Sequence, residues 1–463
     1  MRKFDILEKV EIAAFAAEGK SLARVDNFVL FLEKAVPGDV VDIQITKLKK
    51  NYGEAKVLKF HSYSALRSQP ACQHFGTCGG CKWQHLGYDK QLEFKTQQVV
   101  DALEKIGKIE FPPIMPILGS AKIYEYRNRL DFTYCNSRWL TNEEIKSGQS
   151  FSQNVLGFHA PGRFDKVLEI EHCHLQAEPS NAIRNFSKAF ALEHGASFYD
   201  IKNQVGLLRQ LVVRTASTGE IMVIVWFNED NEFNELFMNA LLEKFPQINS
   251  LAYAVNNKRN DSMGDLVVDI FAGKPFIEEE MEGLRFRIGP KSFYQTNSSQ
   301  AYELYKVARA FAGLTGKEKV YDLYTGTGTI ALFVAKQASK VIGVEYVDAA
   351  VADAKRNAEL NGIAHAEFFA GDMKDVLNAQ FIETHGKPDV VITDPPRAGM
   401  HEDVVKRIVE MAPEKVVYVS CNPATQARDL ALMNEVYKVT KVQPVDMFPH
   451  THHVENVVLL EKR

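Results

Sequence analysis

The sequence predicts a multidomain protein. A small β-barrel of the oligonucleotide-binding kind comes first, then an α+β central domain with a cysteine cluster, then a doubly wound α/β domain. Three observations predict it. Short apolar runs separated by turn residues crowd the first stretch of about 60 residues, and Cys72, Cys78 and Cys81 fall close together. From about residue 300 the pattern alternates strand and helix. A length of 463 residues suits roughly two to four domains of about 100–200 residues. The expected boundaries are 1–62, 63–285 and 286–463.

The barrel is expected from strands at 10–13, 28–32, 39–45 and 55–60, with turns at Pro37-Gly38 and Tyr52-Gly53. Between residues 41 and 70, six Lys or Arg stand against two Asp or Glu. That basic end suits phosphate contact or forms a solvated charged face. The cysteine loop leads into a helical stretch at 88–106. Central strands are expected around 211–214 and 221–227, with a helix near 182–194. The doubly wound part offers strands at 319–324, 340–345, 366–369, 389–394 and 415–420 with helices between. Two late strands lie near 437–447 and 456–460.

A 46% hydrophobic share with 25% charged residues excludes wholesale disorder. The net charge of −4 excludes a protein coated in basic surface, but not nucleic acid, which is bound by local patches. The longest apolar run, 221–227, is strand-sized, so no membrane span is expected. The first residues carry no apolar signal core, which points to a cytoplasmic protein. In that setting clustered cysteines read as a metal site rather than a disulfide frame.

Asp322-Leu-Tyr-Thr-Gly-Thr-Gly-Thr329 lies where the first strand ends and a helix begins. Gly326 and Gly328 let the backbone approach a ligand beside free helix N–H groups. Glu345 ends the second strand, where a carboxylate can accept both hydrogen bonds of a ribose diol. The turn lacks the Gly-Lys-Ser/Thr ending of a phosphate-gripping loop. It is similar to the adenosine site of S-adenosylmethionine-dependent methyltransferases, with Asp372 suited to the adenine amino group. From these residues, a nicotinamide-linked dehydrogenase is the rival.

Asp394-Pro-Pro-Arg-Ala-Gly399 closes the fourth strand and Ser420-Cys-Asn-Pro-Ala-Thr425 the fifth, at the sheet edge where such folds bind ligands. The first run resembles the motif with which amino-group methyltransferases hold an exocyclic amine. Cys421 changes that expectation, because an amine carries its own lone pair and needs no protein nucleophile. Pyrimidine C5 needs one: a thiolate adding at C6 makes an enolate whose C5 can attack a methyl sulfonium. The C5 proton must then leave to a base. The run from His450 to Glu455 supplies candidates, with Glu455 just before the last apolar strand. The alternative for Cys421 is a small buried hydrophobe.

Cys72, Cys78 and Cys81 make three ligands in one loop, and a tetrahedral site needs a fourth. Thiolates suit zinc or an iron–sulfur cluster, and spacing does not distinguish them. Cys135 lacks a partner and is expected to pack. Arg127, Arg129, Arg209 and Arg214 interleave with Tyr124, Tyr126, Phe132 and Tyr134, a mixture suited to single-stranded RNA.

With Phe293-Tyr-Gln-Thr-Asn297 added, these motifs resemble the bacterial RNA uracil-5 methyltransferases, specifically the RumA/RlmD-like branch acting on 23S ribosomal RNA. The resemblance covers nearly the whole chain. It implies a TRAM-like RNA-binding barrel, a cysteine-loop central domain and an S-adenosylmethionine-dependent methyltransferase domain. It implies that Cys421 is the nucleophile, Glu455 the base, and Asp394 a contact to the uracil and the cofactor. Gln295, Tyr324, Thr329, Glu345 and Asp372 would line the S-adenosylmethionine pocket, Thr329 standing where relatives often carry Asn. It implies a [4Fe-4S] cluster held by Cys72, Cys78, Cys81 and Cys173; His172 and His174 are read from the residues alone as polar surface, with a place behind those ligands as the alternative. Radical chemistry is not expected, since a four-cysteine set leaves no open iron. The implied partner is ribosomal RNA presenting a single-stranded or flipped uridine, with no membrane and no obligate protein partner. Transfer RNA is the near alternative, which the barrel and cysteine loop are expected to disfavour. An amino-group methyltransferase and a non-catalytic RNA-binding cluster protein are the other rivals. The pairing of Cys421 with Glu455 argues against the latter.

Overall fold

The computed structural model describes residues 1–260 and 262–463. β1 (Ile6–Phe15), β2 (Ser21–Val25), β3 (Phe28–Leu32), β4 (Val40–Leu48) and β5 (Tyr52–Ser62) close into a barrel ordered β1-β2-β3-β5-β4. The period-2 pattern explains the closure. Val41 and Ile43 enter a core with Ile12, Ala23 and Leu30 and Ile45 is buried beyond them, while Asp42 and Gln44 are less buried on the other face. Tyr52-Gly53, expected as a turn, begins β5 instead. A Cβ on Gly53 would lie 2.9 Å from the Leu30 side chain and 3.0 Å from the Lys47 carbonyl, so the glycine serves close strand packing. Asp39 is buried beside the barrel, and Arg67 forks onto both its oxygens at 2.8 and 2.6 Å. That pair ties the barrel to the segment that follows.

The cysteine loop precedes α1 (Tyr88–Asp101), which continues into a π-helical turn, Ala102–Gly107. Val99, Ala102 and Leu103 share a core with Ala427, Leu430 and Val458. An N-terminal helix therefore completes the C-terminal layer.

The central sheet contains β6 (Arg129–Cys135), β7 (Val155–His159), β8 (Val167–Glu169), β9 (Leu208–Thr215), β10 (Ile221–Phe227), β11 (Ser250–Val255) and β12 (Asp269–Gly273). Its order is β12-β11-β10-β9-β6-β7-β8, and α2 (Asn142–Ser147), α3 (Ser180–Glu193) and α4 (Glu232–Lys244) connect its strands. β10 is buried along its whole length, which is why its sequence is apolar without alternation. Residue 285 falls inside a hairpin of β13 (Ile277–Met281) and β14 (Leu284–Ile288). Its Ile277, Phe286 and Ile288 share a core with Ala301, Leu304 and Val320.

The C-terminal layer runs α5 (Ser298–Ala312), β15 (Lys319–Leu323), α6 (Thr329–Ala335), β16 (Lys340–Glu345), α7 (Asp348–Leu360) and β17 (Ala366–Ala370). It continues through α8 (Met373–Val376), α9 (Ala379–His385), β18 (Val390–Thr393), α10 (Glu402–Met411) and β19 (Lys415–Ser420). α11 (Pro423–Met433), β20 (Tyr437–Val445) and β21 (Glu455–Lys462) complete it. The order is β17-β16-β15-β18-β19-β21-β20, with the first five parallel and β21 antiparallel to both neighbours. Alternate residues serve two cores, Val320, Ile392 and Val417 on one face and Tyr321, Val391 and Val416 on the other. Strand order reverses between β15 and β18, which opens a crevice at their C-terminal ends. Among the described residues no helix is long and apolar enough to cross a membrane.

Candidate active site

The end of the crevice formed by the Asp322–Thr329 turn is strained at Tyr324. Tyr324, Gly326 and Gly328 have φ of 63°, 55° and 81°. A Cβ on Gly328 would lie 2.9 Å from that of Ala354, whereas one on Gly326 would meet nothing within 4 Å, so the turn is open where a ligand could approach. Asp322 staples it: one carboxylate oxygen accepts the Thr325 hydroxyl (2.5 Å) and the Ala331 N–H (3.1 Å). Its other oxygen, Oδ1, has no partner, and burial lifts the carboxyl to about 7. A buried carboxylate oxygen left without a partner suits a site completed by a polar ligand.

Glu345 is turned back on the same loop, accepting N–H groups from Gly326 and Val347 at 3.0 Å each. Each of its oxygens keeps a second lone pair for a ligand. Asp372 caps α8, accepting the Lys374 N–H (3.2 Å) and pairing with its ammonium at 3.2 Å. Thr329 is buried, its hydroxyl 3.3 Å from that of Thr327. Gln295 is half-buried and tied through its carbonyl to Asn128 (2.9 Å). Burial pushes the Tyr324 phenol up to about 12.

The chemical end lies where β18, β19 and β21 meet. Ser420 of β19 and Asn456 of β21 form the last pair of their ladder, and Cys421 and Glu455 each lie one residue beyond it. Gln426 fixes that junction, donating to the Tyr418 (2.9 Å) and Asn456 (3.1 Å) carbonyls and accepting from the Asn456 amide (2.8 Å). Asn422 caps α11 through the Ala424 N–H (3.1 Å) and donates to the Arg397 carbonyl (3.0 Å). The two strand-end loops are thereby laced together.

Burial first, then Asp394, lifts Glu455 to about 8, and burial lifts Asp394 to about 7. Cys421 is pushed up to about 12 by burial, then by Glu455 and Asp394, with Arg397 opposing. A thiol and two carboxyls in mutual electrostatic reach form one coupled acid cluster. Sequence reasoning brought these three together but passed over Asp322, Arg397 and Asn422. All three stand inside the quoted motifs, so the signal was present.

The cysteine loop borders a different space, a cavity of about 530 Å³ lined by Cys72, Cys78, Cys81, Cys173, His172 and His174. Arg127, Arg129, Phe293 and Thr296 are among its other lining residues, so it adjoins the segment bearing Gln295. Burial, then the neighbouring cavity thiols, pushes Cys78 up to about 11 and Cys81 up to about 12. Among the described residues no three His, Cys, Asp or Glu are drawn together as one metal ion requires. Cys135 is buried, its sulfur 3.3 Å from the Ser137 N–H.

Of the eight interleaved Arg and aromatic residues, five lie inside the protein. Arg209 and Arg214 are buried, donating to the carbonyls of Asn256 (2.5 Å) and Ser292 (2.9 Å), and Phe132 and Tyr134 are core residues. Strand-borne side chains on the inner face pack regardless of charge when carbonyls satisfy them. Tyr126 is also buried, its hydroxyl donating to the Pro449 carbonyl (3.0 Å), whereas Arg127 and Arg129 are half-buried.

Residues 269–463 match the tRNA (Uracil-5-)-methyltransferase family, and residues 8–58 match the TRAM domain. A Bacteroides thetaiotaomicron protein named an uncharacterized RNA methyltransferase is 61% identical over 454 residues, 97% of this chain and 100% of its own. One from Porphyromonas gingivalis, similarly named, is 55% identical over 97% of this chain and 99% of its own. Among solved structures, the Pyrococcus abyssi tRNA (uracil-54, C5)-methyltransferase in complex with S-adenosyl-L-homocysteine superposes with a TM-score of 0.76 at 30% identity. That match covers 98% of this chain and 100% of the other.

Proposed function

The chain belongs to the RNA uracil-5 methyltransferase family, and from that premise we propose that it methylates C5 of a uridine in 23S ribosomal RNA through a covalent Cys421–C6 adduct. The observation that carries this reading is that Cys421 and Glu455 each lie one residue beyond the Ser420–Asn456 pair, with Asp394 in electrostatic reach of both. S-adenosylmethionine, when bound by the Asp322–Thr329 turn, Glu345, Asp372 and Gln295, supplies the methyl group and a positive charge beside these acids. The Cys421 thiol must lose its proton against two carboxyls, and the Arg397 guanidinium works in favour of the thiolate. The Sγ–C6 bond then forms while the C5=C6 electron pair moves toward O4. Asp394, directly after β18, contacts the uracil. After C5 carries its methyl, Glu455 takes the C5 proton, the freed pair restores C5=C6, and the C6–Sγ bond breaks to return the thiolate.

The barrel binds RNA through its basic end, where Lys47, Lys49, Lys50, Lys56 and Lys59 stand, and the enzyme works in the cytoplasm. The target uridine leaves its stack to reach Cys421. Cys72, Cys78, Cys81 and Cys173 would hold a [4Fe-4S] cluster; the four thiols lining one cavity support that assignment.

A second reading, methylation of transfer RNA, is favoured by the match to the Pyrococcus enzyme. Because that match spans 98% of this chain, the barrel and cysteine loop do not argue against it. Labelled S-adenosylmethionine incubated with each RNA class separates the two readings by which RNA acquires 5-methyluridine. The chemistry is tested with 5-fluorouridine-substituted RNA, in which fluorine cannot leave as a proton. A denaturation-stable protein–RNA adduct is expected, and its absence with the wild type, or its persistence in Cys421→Ala, overturns the mechanism.

A further inference from the structure

Helix α1 carries three polar side chains on one face, Tyr88, Gln91 and Lys95, spaced three and four residues apart. All three reach the segment before Glu455. Lys95, wholly buried, donates to Asp446 Oδ1 (2.5 Å) and to the Phe448 carbonyl (3.0 Å). Tyr88 donates to the other Asp446 oxygen (2.8 Å) and accepts the Ser120 N–H (2.7 Å). Gln91 accepts the His450 N–H (2.8 Å) and donates to the Trp83 (3.1 Å) and Leu86 (2.9 Å) carbonyls. From the cysteine loop, the N–H groups of Lys82 and Trp83, which directly follow Cys81, both donate to the His450 carbonyl at 2.9 Å.

The clamped segment joins two paired strand ends. Val445 of β20 pairs with Glu455 of β21, so residues 446–454 form the connection between them. Holding it at 446, 448 and 450 fixes how β21 begins. The same helix is referenced to the nucleophile by packing: a Cβ on Gly107 would lie 3.1 Å from the Ala427 carbonyl, in the helix that follows Cys421. A buried Lys–Asp pair adds little stability over apolar residues of similar volume, which points to a role in holding geometry.

We propose that Tyr88, Gln91 and Lys95 are positioning residues for Glu455, and that the cysteine loop, through Lys82 and Trp83, belongs to the same clamp. The inference rests on the covalent reading above. Loosening the clamp slows one step: breaking of the C5–H bond, whose proton goes to Glu455 while its electron pair re-forms C5=C6 and expels Cys421. Addition and methylation, which use Cys421 and the nucleotide end, are spared.

The test uses full-length wild type, Gln91→Met and the double variant K95M/D446N with labelled S-adenosylmethionine and unsubstituted RNA, quenched in denaturant. In the double variant the side-chain amide introduced at position 446 can still accept the Phe448 N–H that Asp446 holds at 3.1 Å. Free methylated RNA should form about 100-fold more slowly in both variants, the size of effect a misplacement of about 1 Å produces. Methyl-labelled protein–RNA adduct should accumulate instead. Adduct and product falling in parallel, or neither changing, overturns the proposal. Tyr88→Phe, which leaves the ion pair, answers the question if the double variant does not fold: the adduct-to-product ratio rises, and an unchanged ratio is fatal. A wild type that forms no adduct with 5-fluorouridine RNA defeats the covalent reading; an adduct there with none building up in the variants defeats only the clamp.

Discussion

Two sets of thiols in this chain are pushed up by burial, and they differ in what stands beside them. In the cysteine loop the further push on Cys78 and Cys81 comes from the other thiols around the same cavity. At the strand end the further push on Cys421 comes from Glu455 and Asp394, with Arg397 opposing. Thiols raised by one another become anionic together when they share a metal. A thiol raised by carboxylates becomes anionic only while positive charge is near, and it can be expelled again afterwards. One setting suits a permanent ligand set; the other suits a nucleophile that must also leave.

The sharpest way to break this comparison is to remove one thiol from each set. Cys421→Ala should lower methylation by at least about 10⁴-fold, measured as labelled methyl transferred to RNA. Its iron content and melting temperature should match the wild type. Comparable loss of iron would mean that the two regions are one site. Glu455→Gln comes next, slowing product release by roughly 10²–10⁴-fold. Because it removes the base and keeps the nucleophile, the methylated adduct should accumulate, and a Glu455→Gln enzyme that forms free product at the wild-type rate would strip Glu455 of its role.

Cys78→Ser strikes the other set. An anaerobic wild-type preparation should contain about four iron atoms per chain, and the variant should lose them together with some thermal stability. Its methylation should fall less than in Glu455→Gln, by about tenfold, because it acts through the position of the base rather than its chemistry. Stoichiometric zinc in the wild type would refute the cluster.

Much of this contrast was legible before any coordinates. The Asp322, Asp394 and Ser420 motifs each end a strand of one parallel sheet, so topology brings them to one edge whatever the details of packing. Other parts depend on partners remote in sequence. Val99, Ala102 and Leu103 read as an apolar helix face, but nothing local says that they complete the core beneath Ala427 and Val458. Lys95 reads as a surface lysine until Asp446 is found beside it. Arg209 and Arg214 read as phosphate contacts because charge suggests exposure, yet each is satisfied by carbonyls from segments that pattern reasoning cannot bring near. Glu345 was legible as a strand-end carboxylate, while its hold on Gly326 was not.

The smallest effect separates the two settings by pH. Burial raises Asp394 from 3.8 to about 7, so the folded protein holds this proton more tightly than the unfolded chain does. Stability contributed by the protonated form is therefore lost as pH rises from about 4 to about 7. Asp394→Asn removes that loss: its melting temperature should exceed the wild type's by a few degrees at pH 8 and match it near pH 4. Glu455→Gln should behave alike across a window from 4.5 to about 8. The double variant should gain less than the sum, since Asp394 itself raises Glu455. Cys78 and Cys81 must shed their protons to serve as ligands, so the loss of melting temperature on substituting either should grow from pH 5 to pH 8, opposite in sign to the gain from Asp394→Asn. Equal pH dependence in both sets would erase the distinction between ligand and nucleophile.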